Sequence, residues 1–226
     1  MINEANTTAA VANTVISTSA TPQEVTAYLT RQDTYDPATT PILRYSRPND
    51  IYQGQEVHLA NMSNAFGFKA LGREWKGTEY LYLCGEWSEE AEKSVDIQKD
   101  ILTATSGYAA KRFKKSKYLK FIREDYNTFR HHWMLWCIWQ KCLDSEAFRK
   151  HLLSFSEDTV IVEVVKDDPI WAAEEDPATG LLKGGNAVGK ILMICRKCIK
   201  EGTQPAIDTD LLNRSGIYIL GQRVQF

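Results

Sequence analysis

The sequence lacks the features that mark membrane-spanning, secreted or nucleic-acid-coating proteins. It contains no run of about 18 apolar residues, so we predict no membrane-spanning segment. Its 27 Lys and Arg against 29 Asp and Glu give a net charge of −2, which excludes a globally basic protein. The first residues do not show the basic segment followed by an apolar segment that is typical of a secretory leader. The chain has five cysteines, an odd number, so they cannot all be paired in disulfides within it. We therefore expect reduced thiols and a cytoplasmic location.

The chain predicts one large domain preceded by an appendage. Of its 226 residues, 43% are hydrophobic and 25% are charged, which is typical of a globular protein with a substantial core. Residues 1–41 hold ten Thr, seven Ala and a single basic residue, Arg31. Within this segment Thr21-Pro22-Gln23-Glu24 forms a capping box that predicts a helix over about residues 22–30. No long Gly/Ser/Pro linker divides residues 42–226.

The hydrophobic patterning predicts an α+β fold, predominantly helical, with a small β-sheet. Strands are predicted at 41–46, 159–165 and 216–226, and residues 80–84 also alternate like a strand. Helices are predicted over about 88–104, capped by Ser88, and over 106–111, 125–142, 145–153 and 187–201. Asn186 and Gly202 would begin and end the last helix.

A glycine-rich segment, Gly184-Gly185-Asn186-Ala187-Val188-Gly189-Lys190, fits part of the P-loop pattern. Ile191 replaces the required Ser or Thr, and an acidic segment rather than a buried strand precedes it, so we disfavour a nucleotide triphosphatase. Free amides at the start of this helix would suit a phosphate. An ordinary turn and cap is the alternative, and the sequence leaves both open.

Two cysteine pairs and a tryptophan stripe have a structural interpretation. Cys195 and Cys198 form C-x-x-C, but both fall within a predicted helix among apolar residues, where cysteine usually packs in a core. We therefore predict no metal site. Trp133, Trp136 and Trp139 recur every three residues and predict a buried helix face. A basic run at residues 111–117, extended by Lys120 and Arg123, either meets phosphates or is a solvated face.

Several short motifs carry more specific information. They are Met62-Ser63-Asn64, Trp75-Lys76-Gly77-Thr78-Glu79, Ala110-Lys111, Arg123-Glu124-Asp125-Tyr126, Leu152-Leu153, Val162-Glu163, Asp168-Pro169-Ile170-Trp171 and the segment from Gly185 to Arg196. In this order and spacing the chain resembles the NADAR superfamily, the YbiA-like N-glycosidases, over about residues 42–200. The resemblance implies a YbiA-like fold in which Thr78 caps a helix, where the alternation alone favours a strand.

The resemblance also implies hydrolysis of an N-glycosidic bond between a ribose phosphate and a base-like amine, without metal or cofactor. Glu79 is then the carboxylate that stabilises an oxocarbenium-like state or orients water. Asp168 handles the proton of the leaving nitrogen or of the water. The alternative for Asp168 is an acidic residue in an ordinary turn.

The same resemblance assigns binding roles. Asn64 would hold ribose hydroxyls, Trp171 and Tyr126 would stack on the ligand, and the predicted phosphate ligands are Arg44, Lys111 and the amides of Gly185 and Asn186. Tyr126 stands where the family has Trp, Tyr80 where it has His, and Ala172-Ala173 where it has a glycine-containing loop. These departures predict a shift in substrate choice.

The preferred ligand is ADP-ribose attached to a guanine base, with the basic run steering ADP-ribosylated nucleic acid. Two alternatives remain open at this point. One is an N-glycosidase acting on riboflavin-pathway intermediates, and the other is a module that binds ADP-ribose or NAD without turnover.

Overall fold

The computed structural model describes residues 14–226, so the first part of the Thr/Ala-rich segment, residues 1–13, lies outside the described residues. The helices are α1 (Pro22–Thr30), α2 (Thr78–Cys84), α3 (Glu92–Thr103), α4 (Gly107–Lys111), α5 (Tyr126–Asp144), α6 (Glu146–Ser154), α7 (Ala187–Glu201) and α8 (Thr209–Ser215). Short 3-10 turns occupy Gly85–Trp87, Arg112–Lys115 and Leu119–Phe121. Over the described range, no helix combines the length and hydropathy needed to cross a membrane.

Short strands join the helices. They are β1 (Asp33–Tyr35), β2 (Ile42–Tyr45), β3 (Ile51–Tyr52), β4 (Gln55–Glu56), β5 (Phe68–Ala70), β6 (Arg73–Trp75), β7 (Val160–Glu163), β8 (Ala173–Glu175), β9 (Leu182–Gly184), β10 (Tyr218–Ile219) and β11 (Gln222–Arg223). The order β1-β9-β8 forms an antiparallel sheet, β2 and β7 form a parallel pair, and the others form three hairpins. The predicted α+β class is confirmed.

The parallel pair β2–β7 and helix α7 form the layer that carries the site. Leu43 pairs with Ile161 and Tyr45 with Glu163, so β7 reaches its end at Glu163. The side chains of Leu43 and Ile161 are fully buried, as expected of strands covered by a helix. Helix α7 packs directly on β7.

The tryptophan stripe of α5 lies in the core, as predicted. Trp133 and Trp136 stack with ring centroids 5.1 Å apart, and the terminal Phe226 packs edge-on against both. The Trp133 indole N–H donates to the carbonyl oxygen of Tyr82, 3.0 Å away, which attaches α5 to α2. All five cysteines are buried free thiols, in agreement with their predicted packing role.

The segment predicted as an appendage contributes to the fold even before α1, since Val15 and Ile16 pack against the core. The predicted helix 22–30 is confirmed as α1 with its capping box, and Val25 and Leu29 are buried. The next residues form β1, which pairs with β9. Sequence patterning did not predict β1, because it is only three residues long and is stabilised by a partner about 150 residues away.

Three local predictions differ from the structure. Residues 78–84 form helix α2 rather than a strand, as the resemblance implied, and its N-cap is Gly77 instead of Thr78. Every residue of α2 is buried, and periodicity cannot distinguish a short buried helix from a strand. Ser88 caps no helix, because α3 begins only at Glu92. The predicted terminal strand is a hairpin of two-residue strands, β10 and β11.

Candidate active site

The first turn of α2 fixes Glu79 in the interior. The backbone N–H of Glu79 donates to the carbonyl oxygen of Asn61, 3.1 Å away. Gly77 allows the 61–63 loop to approach, since a Cβ at this position would lie 2.6 Å from the Ser63 carbonyl oxygen. Glu79 is only 4% exposed. The helix start therefore holds a buried carboxylate against this loop.

Two further acidic residues come from the end of β7 and the loop after it. Glu163 is the last residue of β7, and its backbone N–H donates to the Asn186 Oδ1 atom, 3.0 Å away. Asp168 lies in the loop, where its Oδ1 accepts a hydrogen bond from the Trp171 backbone N–H at 3.1 Å. Asp168 thus has the predicted turn role.

These elements surround a cavity of about 90 Å³. Three carboxylic residues, two lysines, an asparagine and six largely apolar residues line it: Glu79, Glu163, Asp168, Lys111, Lys114, Asn61, Met62, Tyr82, Met134, Val165, Trp171 and Val188. Four predicted site residues, Glu79, Asp168, Lys111 and Trp171, are brought together here. Both residues to which the resemblance assigns catalytic roles, Glu79 and Asp168, therefore lie at one cavity, although 89 positions separate them in the chain.

The surroundings of the cavity raise the pKa of two of its carboxyl groups, those of Glu79 and Glu163. Burial raises the pKa of Glu79 to about 7, opposed by Lys111 and Lys114 and assisted by Glu86 and Asp168. Burial also raises the pKa of Glu163 to about 8; Lys111 opposes this shift, and the negative charges of Glu79 and Asp168 add to it. Carboxyl groups with pKa values near neutrality are suited to proton transfer at physiological pH.

An aromatic wall holds Trp171 beside the carboxylates. The Tyr82 ring meets Trp171 edge-on with centroids 5.5 Å apart, and the His131 ring lies 5.0 Å from it. Burial lowers the pKa of His131 to about 4, so this imidazole is neutral near pH 7. Trp171 is half-buried and keeps part of its ring at the cavity.

Three predicted ligand-binding residues lie outside the cavity lining. Arg44 is on β2 and forms an exposed bidentate ion pair with Glu175, so its guanidinium is already partnered. Tyr126 is buried behind Tyr82, with ring centroids 6.0 Å apart, and presents no stacking face to the cavity. Asn64 is exposed, and its Nδ2 donates to the Tyr80 hydroxyl at 3.4 Å. The nearby Asn61 lines the cavity in its place.

The backbone amides of Gly185 and Asn186 are not free phosphate donors. The Gly185 N–H donates to the Pro169 carbonyl oxygen at 2.9 Å, and the Asn186 N–H donates to the Ala172 carbonyl oxygen at 3.0 Å. The 169–172 loop therefore occupies the donors that a phosphate would need. In this structure the two amides take part in a turn that leads into α7, which is the arrangement that the alternative interpretation of the glycine-rich segment predicts.

Lys190 completes the exclusion of a phosphate loop. It is 1% exposed, and its Nζ lies 2.7 Å both from Asp33 Oδ2 and from the Arg31 carbonyl oxygen. This lysine therefore ties the segment before β1 to α7 and is not available to a nucleotide.

Sequence reasoning missed Glu163 and Lys114 as cavity residues. In the sequence, Val162-Glu163 is one of the matching motifs and Lys114 is one member of a basic run, and neither pattern assigns the residue to a cavity. The signal that identifies Glu163 is a charged residue ending an otherwise apolar strand, because such a side chain leaves the sheet where the strand stops.

Comparison with known proteins agrees with this architecture. A family model described as the NADAR domain matches residues 52–200. The NMR structure of the E. coli protein YbiA is similar to the chain, with a TM-score of 0.55 and 19% sequence identity; the alignment covers 72% of this chain and 86% of that one. No curated protein sequence matches the chain significantly. At this identity the structural similarity establishes the fold.

Proposed function

Because the chain belongs to the NADAR family of N-glycosidase-like proteins, we propose that it hydrolyses the N-glycosidic bond of a ribosylated, phosphate-bearing substrate, preferentially removing ADP-ribose from modified guanine. The observation that carries the proposal is the shared cavity of Glu79, Glu163 and Asp168 beside Lys111, Lys114 and Trp171. This combination supplies negative charge for a sugar cation, proton donors for a leaving nitrogen, and positive charge for phosphate.

Cleavage of a C1–N bond develops positive charge on the sugar. The bonding electrons leave with the nitrogen, and C1 and the ring oxygen share the resulting charge. The ionised carboxylate of Glu79, buried against this sugar, stabilises that charge more strongly than water does, because the surroundings are of low dielectric constant. This is the role that the sequence resemblance implied for Glu79.

The remaining two carboxyl groups divide the proton transfers. Glu163, whose pKa lies near 8, donates its proton to the departing nitrogen. Asp168 accepts a proton from the water that forms the new C1–O bond, and exchange with solvent then restores both acids. The products are the free base and a sugar with a C1 hydroxyl.

The surface beside the cavity favours a substrate carried on nucleic acid. Lys117 and Lys120 continue the basic run beyond Lys114, and their ammonium groups lie 5.0 Å from the Tyr118 ring centroid and 5.1 Å from that of Phe121. Tyr118 is only 6% exposed, whereas Phe121 is 37% exposed, so it is the lysines beside the Phe121 ring that suit a single strand, since they meet phosphates and a base together. Arg123 does not belong to this surface, because it is buried against Asp125 and Ser88.

The proposal is tested by offering the protein two substrates and by measuring its binding of free ADP-ribose. We expect ADP-ribosylated single-stranded DNA carrying the modification on guanine to release ADP-ribose, detected by chromatography and mass spectrometry. Cleavage of a pyrimidine ribose phosphate from the riboflavin pathway, with the DNA left intact, would contradict the preferred substrate and support the first alternative. Tight ADP-ribose binding with no cleavage of any substrate would support the non-catalytic alternative.

The proton assignments predict a narrow pH optimum. Glu79 is ionised above about pH 7 and Glu163 is protonated below about pH 8, so kcat should be maximal between these values and fall on both sides. The Glu163→Gln variant should lose on the order of 10²-fold in kcat, together with the alkaline limb. A wild-type rate that stays constant from pH 6 to pH 9 is incompatible with these roles.

A further inference from the structure

A second buried carboxylate lies behind the cavity and takes no part in the chemistry proposed above. Glu86 follows α2 in the 3-10 turn Gly85–Trp87, is 1% exposed, and forms an ion pair with the Lys114 ammonium. Within the part of the chain that the structure describes, its two carboxylate oxygens have no hydrogen-bond partner apart from this contact with Lys114. Lys114 is therefore what compensates this buried charge.

The ion pair accounts for the unusual direction of Lys114. The neighbouring Lys117 and Lys120 are exposed and lie over the rings of Tyr118 and Phe121, whereas Lys114 has a side chain only 33% exposed and lines the cavity. A lysine ammonium is strongly hydrated and ordinarily remains in water. A buried carboxylate is costly to keep without a partner, so Glu86 and Lys114 each require the other at this place.

We propose that Glu86 is a positioning residue, which holds the Lys114 ammonium at the cavity wall so that Lys114, together with Lys111, binds the phosphate of the substrate. That the bound group is a phosphate rests on the proposed function, whereas the positioning of Lys114 by Glu86 does not. The assignment also replaces the predicted phosphate ligands Arg44, Gly185 and Asn186, whose donors are used elsewhere.

The pKa of Glu79 depends on the position of the Lys114 ammonium. The charged groups around Glu79 are Lys111 of α4, Lys114, Glu86, and the cavity acids Glu163 and Asp168. Lys114 lowers the pKa of Glu79, and Glu86 raises it to a smaller extent. Release of Lys114 to solvent raises this pKa, whereas loss of the Glu86 charge alone lowers it. The direction of change therefore separates positioning from a direct charge effect.

The first experiment is an NMR titration of Glu79 in protein carrying ¹³C-labelled glutamate, with Glu79→Gln used for assignment. We expect Glu86→Gln and Lys114→Met each to raise the midpoint of the wild-type protein, and Glu86→Gln to lower it in the Lys114→Met background, where only the direct loss of the Glu86 charge remains. A lower midpoint when Glu86→Gln is made in the wild-type protein, or additive effects of the two substitutions, would overturn the proposal. Because no turnover is measured, this outcome is independent of the proposed function.

The second experiment measures ADP-ribose and adenosine binding by calorimetry. Glu86→Gln and Lys114→Met should each weaken ADP-ribose binding by about tenfold, as expected for loss of a charge-assisted contact, and leave adenosine binding unchanged. Unchanged ADP-ribose affinity in either variant contradicts the positioning role. If the wild-type protein binds no ADP-ribose, the proposed ligand is wrong, and the Glu79 titration alone decides the positioning role.

Two further variants keep both experiments decisive. Glu86→Asp retains the carboxylate and should preserve most of the wild-type midpoint and affinity. Glu86→Leu, which removes the buried charge with an apolar side chain, replaces Glu86→Gln if that variant fails to fold. Lys150→Met removes an exposed lysine that pairs with Glu146 on α6 and should change neither measurement.

Discussion

The Glu79→Gln variant is expected to lose about 10²-fold or more in kcat while becoming more stable than the wild-type protein at pH 8. The loss of rate follows from removing the charge that stabilises the sugar cation in the transition state. The gain in stability follows from removing a carboxylate that is 4% exposed and whose folded-state pKa is raised. Activity and stability thus make opposite demands on this position.

The pH dependence of this stabilisation has a definite sign. The pKa of Glu79 rises from an ordinary value of 4.5 to about 7 on folding, so the unfolded chain releases the proton first. The wild-type protein therefore loses stability as the pH rises through this interval, by on the order of 3 kcal/mol, and the deficit is constant above about pH 7. Glutamine does not titrate, so the advantage of the variant grows over the same interval.

Denaturant unfolding at pH 4, 6 and 8 checks the stability of the variant. Single-turnover assays, with the substrate that the wild-type protein is found to cleave, check its rate. Glu74→Gln is the matched control, because Glu74 is 82% exposed on β6 and its replacement should alter neither property. Wild-type activity in Glu79→Gln would remove Glu79 from the mechanism. A variant less stable than the wild-type protein at pH 8 would contradict the cost assigned to burial.

The Asn186→Ala variant is expected to be destabilised by about 3 kcal/mol. Asn186 is fully buried; its Oδ1 accepts from the Glu163 N–H at 3.0 Å, and its Nδ2 donates to the Ile161 carbonyl oxygen at 2.8 Å. Alanine leaves the Glu163 N–H and the Ile161 carbonyl oxygen without these hydrogen-bond partners. Each buried, unsatisfied backbone group generally costs about 1–3 kcal/mol of stability. It must also adopt the left-handed conformation of Asn186, whose φ is 46°.

Thermal unfolding of Asn186→Ala and Asn186→Gly separates these two causes. Glycine accepts the left-handed conformation without strain but restores no hydrogen bond, so it should recover only about 1 kcal/mol of the loss. Both variants should also lower kcat, because Asn186 anchors the backbone of Glu163. Full recovery of stability by glycine would mean that the two hydrogen bonds contribute little.

The same contact explains the glycine three residues later. A Cβ at Gly189 would lie 2.2 Å from the Ile161 carbonyl oxygen and 2.5 Å from the Asn186 Oδ1. Only glycine leaves space for the asparagine amide between α7 and β7. Asn186 and Gly189 of the glycine-rich segment therefore hold β7, and through it Glu163, in place.

The sequence by itself determined the elements whose signals are local. The capping box of Thr21 and Glu24 predicted α1, Ser106 and Ser145 predicted two further helix starts, and Gly202 predicted the end of α7. The spacing of Trp133 and Trp136 predicted the buried face of α5. The order of the short motifs along the chain predicted catalytic roles for Glu79 and Asp168, because the resemblance to the NADAR superfamily assigns these roles to residues within those motifs.

Only the tertiary structure decided which polar groups are free to act. Arg44 and Lys190 look in sequence like ligands for an anion, yet Glu175 and Asp33 already hold them. The amides of Gly185 and Asn186 are likewise taken by the 169–172 loop, whereas Lys114 lines the cavity beside Glu79 and Glu163. Hydrogen bonding and burial depend on neighbours distant in the chain, so the chemical availability of a side chain is fixed only when those neighbours pack against it.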